Sequence, residues 1–168
     1  LKPFDNREGI VEYQDSHIPG AVHLLWNTDL ADPSHPELAM LADPDRYAEV
    51  MSEHGIGDDT FVICYDDQHV TVAARVWWTL RVYGHDRVAV LDGGFPKWVD
   101  EKRPVTSDVP VFERGSFTPR FRPELYSTRH DVLAAIDNEK VVLIDGRMQP
   151  ARLEDGGCIP GSIHLPGV

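Results

Sequence analysis

Several features that mark particular protein classes are scarce or absent in this 168-residue chain. It has only two cysteines, Cys64 and Cys158, which are too few for a disulfide scaffold or a cysteine-rich zinc site. Its apolar runs are only a few residues long, so no segment is predicted to span a bilayer. Basic residues are also few: 16 Lys and Arg stand against 28 Asp and Glu, a formal net charge of −12. Such a surface repels phosphate backbones and anionic lipids, so we expect neither a nucleic-acid partner nor a membrane partner.

Signatures of metal binding and of secretion are missing as well. The eight histidines are scattered and form no HExxH motif or other closely spaced ligand set, so we expect no metal site and no cofactor. The first residues lack the basic and apolar segments of a secretory signal, and the few cysteines favour a reducing, cytoplasmic setting. The remaining composition, 42% apolar and 26% charged, is typical of a folded globular protein.

The middle of the chain predicts alternating helices and strands. Two short apolar runs rich in β-branched residues are typical of buried strands and occupy residues 60–65 and 87–91. Helical patterns bounded by proline or glycine occupy residues 45–54, 70–83 and 96–101. In the second of these helices Thr71, Arg75 and Thr79 form a polar stripe with Arg81 beside it. The other residues are apolar, so this helix is predicted to be mostly buried. Helices and strands that alternate over short connections indicate an α/β domain with a parallel sheet.

The regions around this core differ from it. Residues before 45 show no regular pattern and are predicted to be rich in loops. Residues 103–124 hold four prolines and little periodicity, which indicates a linker. After the linker, a helix over 127–136, capped by its first residue, is predicted to precede a buried strand over 140–145.

The most informative pattern is an internal repeat. A D-x-R element at 5–7 is followed by the segment HIPG at 17–20, and a second D-x-R element at 145–147 is followed by CIPG at 158–161. The two D-x-R elements are offset by 140 residues and the two IPG elements by 141. A period this long indicates a duplicated domain rather than a solenoid.

These elements resemble the rhodanese-like proteins. HIPGAVH, the helix AARVWWTLRVYGH and the segment VAVLDGGFPKW follow each other as in the two-domain thiosulfate and 3-mercaptopyruvate sulfurtransferases. The resemblance covers nearly all of the chain. It implies a rhodanese-like three-layer α/β/α domain with a mostly parallel sheet over 1–102, non-catalytic, a linker over 103–124, and the incomplete beginning of a second copy over 125–168.

The resemblance also implies an activity. A sulfurtransferase of this family moves a sulfane sulfur from thiosulfate or 3-mercaptopyruvate to an acceptor such as cyanide or a thiol, through a cysteine persulfide. Its partners are therefore a small anionic sulfur donor and a thiophilic acceptor, and it needs no metal. In the first copy Asp66 stands at the position of the nucleophile, and a carboxylate forms no persulfide. Together with Asp67 it is better suited to stabilise the amino terminus of the following helix. We expect the catalytic cysteine beyond residue 168 and predict that the 168 residues alone are inactive.

Two cysteines and two arginines are candidates for roles in this sulfur transfer. Cys64 lies inside a predicted strand, where burial makes a thiol unreactive, so it is predicted to be structural. Cys158 replaces the histidine that the family places before IPG and is expected to serve local packing. Arg147 and Arg152 are the candidate contacts for the anionic sulfur donor, because a guanidinium binds oxyanions at two points. Two structural alternatives stay open: Arg147 pairing with Asp145, and Arg152 as a solvated loop residue.

A second hypothesis belongs to another functional class. The chain contains no competent nucleophile, which fits a non-catalytic rhodanese-like module that binds a partner or senses redox state. His17, before the first IPG element, is expected to hydrogen-bond to the backbone rather than to act in acid–base chemistry.

Overall fold

The computed structural model describes residues 6–37, 39–67, 70–147 and 156–166. The chain divides into two compact units, Leu1–Arg122 and Pro123–Val168. Within the described residues, the first unit has the order α1 (Asn6–Asp15), α2 (Pro44–Glu53), β1 (Val62–Cys64), α3 (Thr71–Val82), β2 (Val88–Val90) and α4 (Gly94–Asp100). No helix in the described part of the chain is both long and apolar enough to cross a membrane.

The two strands of the first unit form a parallel pair. Val62 lies beside Val88 and Cys64 beside Val90, and α3 connects the strands and packs against both. Because side chains alternate along a strand, Val62 and Cys64 face the core, whereas Ile63 points to the other face and is more than half exposed. The arrangement brings the carboxyl end of β1 next to the amino terminus of α3, the place where open α/β sheets bind ligands.

The core lies between α2, α3 and the strands and includes a buried polar pair. The hydroxyl of Tyr47 donates to Thr79 Oγ1 at 3.0 Å, and Thr79 Oγ1 in turn donates to Val76 O at 3.0 Å. Thr79, one of the residues of the predicted polar stripe, is fully buried, and its hydroxyl has both of these partners inside the unit. The buried core residues are Leu30, Ala42, Tyr47, Val50, Met51, Ile56, Cys64, Ala73, Leu80, Tyr83 and Phe117.

The proline-containing segment after α4 packs against the first unit. Residues 103–122 form no helix or strand, as their composition predicts, but they belong to the first compact unit. Phe117 is buried, and the backbone nitrogen of Arg120 donates to Tyr83 O at 2.8 Å. We call residues 115–122 the strap. The domain boundaries and the linker inferred from the sequence stay predictions.

The second unit is described in part. A 3₁₀ turn (Pro123–Leu125) precedes α5 (Arg129–Ala135), and β3 (Ile144–Asp145) pairs in parallel with β4 (Ile163–His164). The cap of α5 was predicted one residue early. Thr128, not Ser127, accepts from the backbone nitrogen of Asp131, whose carboxylate accepts from the Thr128 nitrogen to complete a capping box.

Most predicted elements of the first unit are present, with shorter strands than expected. The helix expected over 45–54 runs from Pro44 to Glu53, and the Asp43 side chain accepts from the backbone nitrogen of Asp45. The expectation of loops before residue 45 misses α1. That helix carries no apolar periodicity, and the contacts that hold its end are tertiary: the Tyr13 hydroxyl donates to Ala21 O at 2.7 Å.

Candidate functional site

The candidate site is the loop that leads from β1 into α3. Its central residue is Asp66, directly after the strand. The Asp66 carboxylate accepts hydrogen bonds from the backbone nitrogens of Val70 at 3.1 Å, Val72 at 2.9 Å and Ala73 at 3.0 Å. These N–H groups lie at the amino terminus of α3. Unpaired N–H groups and the helix dipole together stabilise a negative charge at this position. The predicted stabilising role of Asp66 is confirmed: its carboxylate fills the place that an external anion would take.

The backbone of Asp66 also holds the loop against α4. Its carbonyl accepts from the nitrogen of Phe95 at 2.9 Å. Gly94 packs so closely that a Cβ there would lie 2.6 Å from the same carbonyl oxygen, and its φ is +56°. Val70 has a φ of 63°, an uncommon value for a β-branched residue. Both ends of the loop are therefore constrained by the fold; Gln68 and His69 lie outside the described residues.

A tyrosine that the sequence reasoning did not single out connects the first IPG element to this loop. The Tyr65 hydroxyl accepts from the backbone nitrogen of Ile18 at 3.2 Å. Its ring stacks with Phe95, with 6.1 Å between ring centroids. The structure thus brings HIPG, the end of β1 and the start of α4 together. The available signal was the position of Tyr65, immediately before Asp66 at the end of a predicted strand.

His17, in the same element, has a structural environment. Its side chain is buried, its Nδ1 lies 2.6 Å from Tyr13 O, and its Nε2 lies 3.2 Å from Asp108 O. Its backbone also pairs with Thr106. The expectation that His17 hydrogen-bonds to the backbone is confirmed. Asp5, of the first D-x-R element, lies outside the described residues.

Cys64 is not an available nucleophile. The residue is 5% exposed, and burial raises the pKa of its thiol to about 12. The thiol therefore stays protonated at neutral pH, where sulfur chemistry needs a thiolate. The predicted structural role of Cys64 is confirmed. Cys158, by contrast, is exposed, and its expected role in local packing stays a prediction.

In the second unit, the D-x-R element forms an ion pair. Arg147 Nε donates to Asp145 Oδ1 at 3.0 Å, and Arg147 Nη2 donates to Asp145 Oδ2 at 2.8 Å and to Gly157 O at 2.7 Å. The Arg147 guanidinium lowers the pKa of Asp145 to about 2. The pair therefore ties the D-x-R element to the residue before Cys158. Arg152 lies outside the described residues, so the donor contacts assigned to Arg147 and Arg152 stay predictions.

Next to the loop, a groove of about 340 Å³ follows the carboxyl end of β2. Its charges are paired: Lys97 Nζ donates to Asp92 Oδ2 at 3.0 Å, and Arg103 Nε donates to Glu101 Oε2 at 2.6 Å. The groove therefore has no excess positive charge that would attract a small anion. In the described part of the chain, no group of three His, Cys, Asp or Glu residues is placed to hold a metal ion.

The chain is similar to known proteins over nearly its whole length. The family model described as Rhodanese-like domain matches residues 3–101. A 3-mercaptopyruvate sulfurtransferase of Mus musculus is 33% identical, covering 95% of this chain and 57% of the relative. A thiosulfate sulfurtransferase of Bos taurus is 34% identical, covering 95% of this chain and 58% of the relative. The chain thus spans less than two thirds of the length of these relatives.

Solved structures give the same result for the fold. SseA from Escherichia coli, described as a 3-mercaptopyruvate sulfotransferase, has a TM-score of 0.87 and 31% identity, covering 99% of this chain and 65% of its own. Tum1 from Saccharomyces cerevisiae, at 21% identity, has a TM-score of 0.82, covers 97% of this chain and 59% of its own, and shows the fold alone. The predicted rhodanese-like α/β fold is confirmed. The chain belongs to the rhodanese-like family.

Proposed function

We propose that this chain is the non-catalytic part of a sulfurtransferase that takes a sulfane sulfur from thiosulfate or 3-mercaptopyruvate. The support is the 33–34% identity to relatives named for these two activities. The acceptor is a thiophile such as cyanide or a thiol. A cytoplasmic location stays part of the proposal.

The observation that carries the non-catalytic assignment is the occupied loop of the first unit. Asp66 holds the N–H groups that would stabilise a thiolate, and Cys64 is buried in the strand behind them. A loop filled by its own carboxylate has no place for an anionic donor, and carboxylate oxygen does not take up sulfane sulfur. The proposal therefore assigns the nucleophilic cysteine to a position outside residues 1–168.

The proposed reaction consists of two displacements at sulfur. The cysteine thiolate attacks the outer sulfur of thiosulfate, a new S–S bond forms, the old one breaks, and sulfite leaves with the bonding electron pair. The acceptor then attacks the outer sulfur of the persulfide; with cyanide, thiocyanate forms and the thiolate is released. Arg147 and Arg152 are the proposed contacts for the oxygen atoms of the donor.

Intact-mass measurement tests this function. The full-length gene product, treated with thiosulfate, is expected to gain one sulfur atom and to lose it to cyanide. Residues 1–168 alone are expected to gain none. Cys64→Ser and Cys158→Ser variants of the full-length protein should gain sulfur as the parent does.

Two results would contradict the proposal. If the full-length protein gains no sulfur from either donor, the chain belongs to a binding or redox-sensing module. If the gain disappears in the Cys158→Ser variant, the nucleophile lies within these 168 residues and its assignment elsewhere is wrong.

A further inference from the structure

A second polar feature lies at the opposite end of the sheet from Asp66. A cavity of about 40 Å³ is found there, next to the residues that precede β1 and β2. It is closed on one side by the strap. Its lining residues are Asp58, Gly84, His85, Asp86, Phe117, Thr118 and Arg120.

The lining contains one buried histidine, His85, whose Nε2 atom has no hydrogen-bond partner in the described residues. Its side chain is 4% exposed, and the Nε2 atom itself is buried. The ring packs beside that of Phe117, with 5.7 Å between centroids. Buried ring nitrogens are normally hydrogen-bonded to protein or to ordered water. We therefore expect a bound molecule to form a hydrogen bond with His85 Nε2.

Both carboxylates of the cavity lining are paired with arginine side chains. Asp58 accepts from the Thr118 nitrogen at 2.7 Å and from Arg120 Nη2 at 3.3 Å. Asp86 accepts from two nitrogens of Arg122, each at 2.6 Å. Arg81 Nη2 also lies 3.7 Å from Asp86 Oδ1. Both carboxylates are therefore already engaged by guanidinium groups, and neither is left to bind a cation. A neutral molecule that both donates and accepts hydrogen bonds fits this lining better.

The volume of the cavity indicates which neutral molecule it can hold. A cavity needs about 10–15 Å³ of such volume to hold a water molecule, and a buried water needs two to four polar partners. We propose that this cavity is a binding site for one ordered water molecule, which hydrogen-bonds His85 Nε2 and connects it to the polar groups of Asp58 and Thr118. The water joins the start of β2 to the strap, the segment that continues directly into the second unit.

A crystal structure of the full-length protein that resolves ordered water tests the site directly. We expect density at hydrogen-bond distance from His85 Nε2 and from at least one polar atom of Asp58 or Thr118. A cavity without density overturns the proposal, as does a side chain that itself bonds Nε2.

Solution NMR supplies an independent test with a matched pair of variants. Cross-relaxation between long-lived water and protons of His85 and Thr118 is expected in the parent protein, and its absence there overturns the proposal. His85→Phe keeps a ring but removes the nitrogen, so the water signal should be lost. The control, His130→Phe at an exposed histidine of α5, should retain it. A signal that persists in folded His85→Phe shows that His85 does not hold the water and overturns the site; if that variant does not fold, the parent spectrum decides.

Discussion

The carboxylate of Asp66 lies 2.9 Å from the backbone nitrogen of Val72, in the first turn of α3. The Asp66 carboxylate has two effects. The negative charge stabilises the amino terminus of the helix. In the proposed function, the same carboxylate also takes the position of the reactive thiolate, so that the loop of the first unit carries no sulfur.

Replacement of Asp66 tests its role in stability. Asp66→Ala should lower the free energy of unfolding of the first unit by about 1–3 kcal/mol, because three backbone N–H groups, two of them partly buried, lose a charged acceptor. Asp66→Asn should cost less, since it keeps one acceptor oxygen. Denaturant unfolding followed by circular dichroism measures both. Asp67→Ala, at the exposed neighbouring carboxylate, is the control and should change stability by at most about 0.5 kcal/mol. Equal effects at both positions would contradict the assignment.

Alanine substitutions at two glycines with positive φ, Gly20 and Gly84, distinguish the cost of backbone strain from the cost of a steric clash. Gly20 has a φ of +82° with open space where a Cβ would lie, so Gly20→Ala should cost about 1–2 kcal/mol from the left-handed backbone alone. At Gly84, with a φ of +88°, a Cβ would lie 2.7 Å from Arg120 O. Gly84→Ala should therefore cost about 1–3 kcal/mol more and loosen the strap.

Denaturant unfolding and limited proteolysis of the strap measure this difference. The Gly84→Ala strap should be cleaved faster than that of the parent, and the Gly20→Ala strap at the parental rate. Equal stability of the two variants would show that contact with Arg120 is unimportant.

The two cysteines should differ sharply in reactivity. With a thiol pKa of about 12 and almost no exposure, Cys64 should not react with a disulfide reagent at pH 8, whereas the exposed Cys158 should. The parent chain should therefore release one equivalent of chromophore when native and two when unfolded. Cys158→Ser should release none when native. A fast-reacting Cys64 in that variant would refute its buried placement.

The Asp145–Arg147 pair predicts a pH dependence of the second unit. The pKa of Asp145 is about 2 in the folded chain and 3.8 without neighbours, so the folded state favours the carboxylate. Its contribution to stability is present above pH 4 and is lost as the pH falls towards 2. NMR titration of the Asp145 carboxyl carbon should show the low value, and Arg147→Met should raise it towards 3.8. Arg129→Met, at an exposed arginine of α5, should leave it unchanged. A parental Asp145 that titrates near 3.8 would contradict the pair.

Sequence patterns predicted the elements that depend on local chemistry. α2 was predictable within one residue, because Asp43 and the following proline define its start whatever surrounds them. α1 was not predictable, since its polar sequence lacks a periodic apolar face and its end is held through Tyr13 and Ala21. The partner of Thr79 was not predictable for a similar reason: a helical wheel shows that the residue is polar, but its hydroxyl bonds to Tyr47, 32 residues away in the chain.

Two properties of this protein follow from the amino-acid sequence by itself: the duplicated D-x-R and IPG elements, and a carboxylate, Asp66, at the start of the loop after the first predicted strand. Both concern which groups are present, and no folding changes the chemistry of an aspartate. Tertiary structure alone decided that the strap packs against the first unit and that His85 Nε2 is buried beside a polar cavity. Those outcomes depend on contacts between residues far apart in the chain, where packing and desolvation act and a linear pattern carries little information.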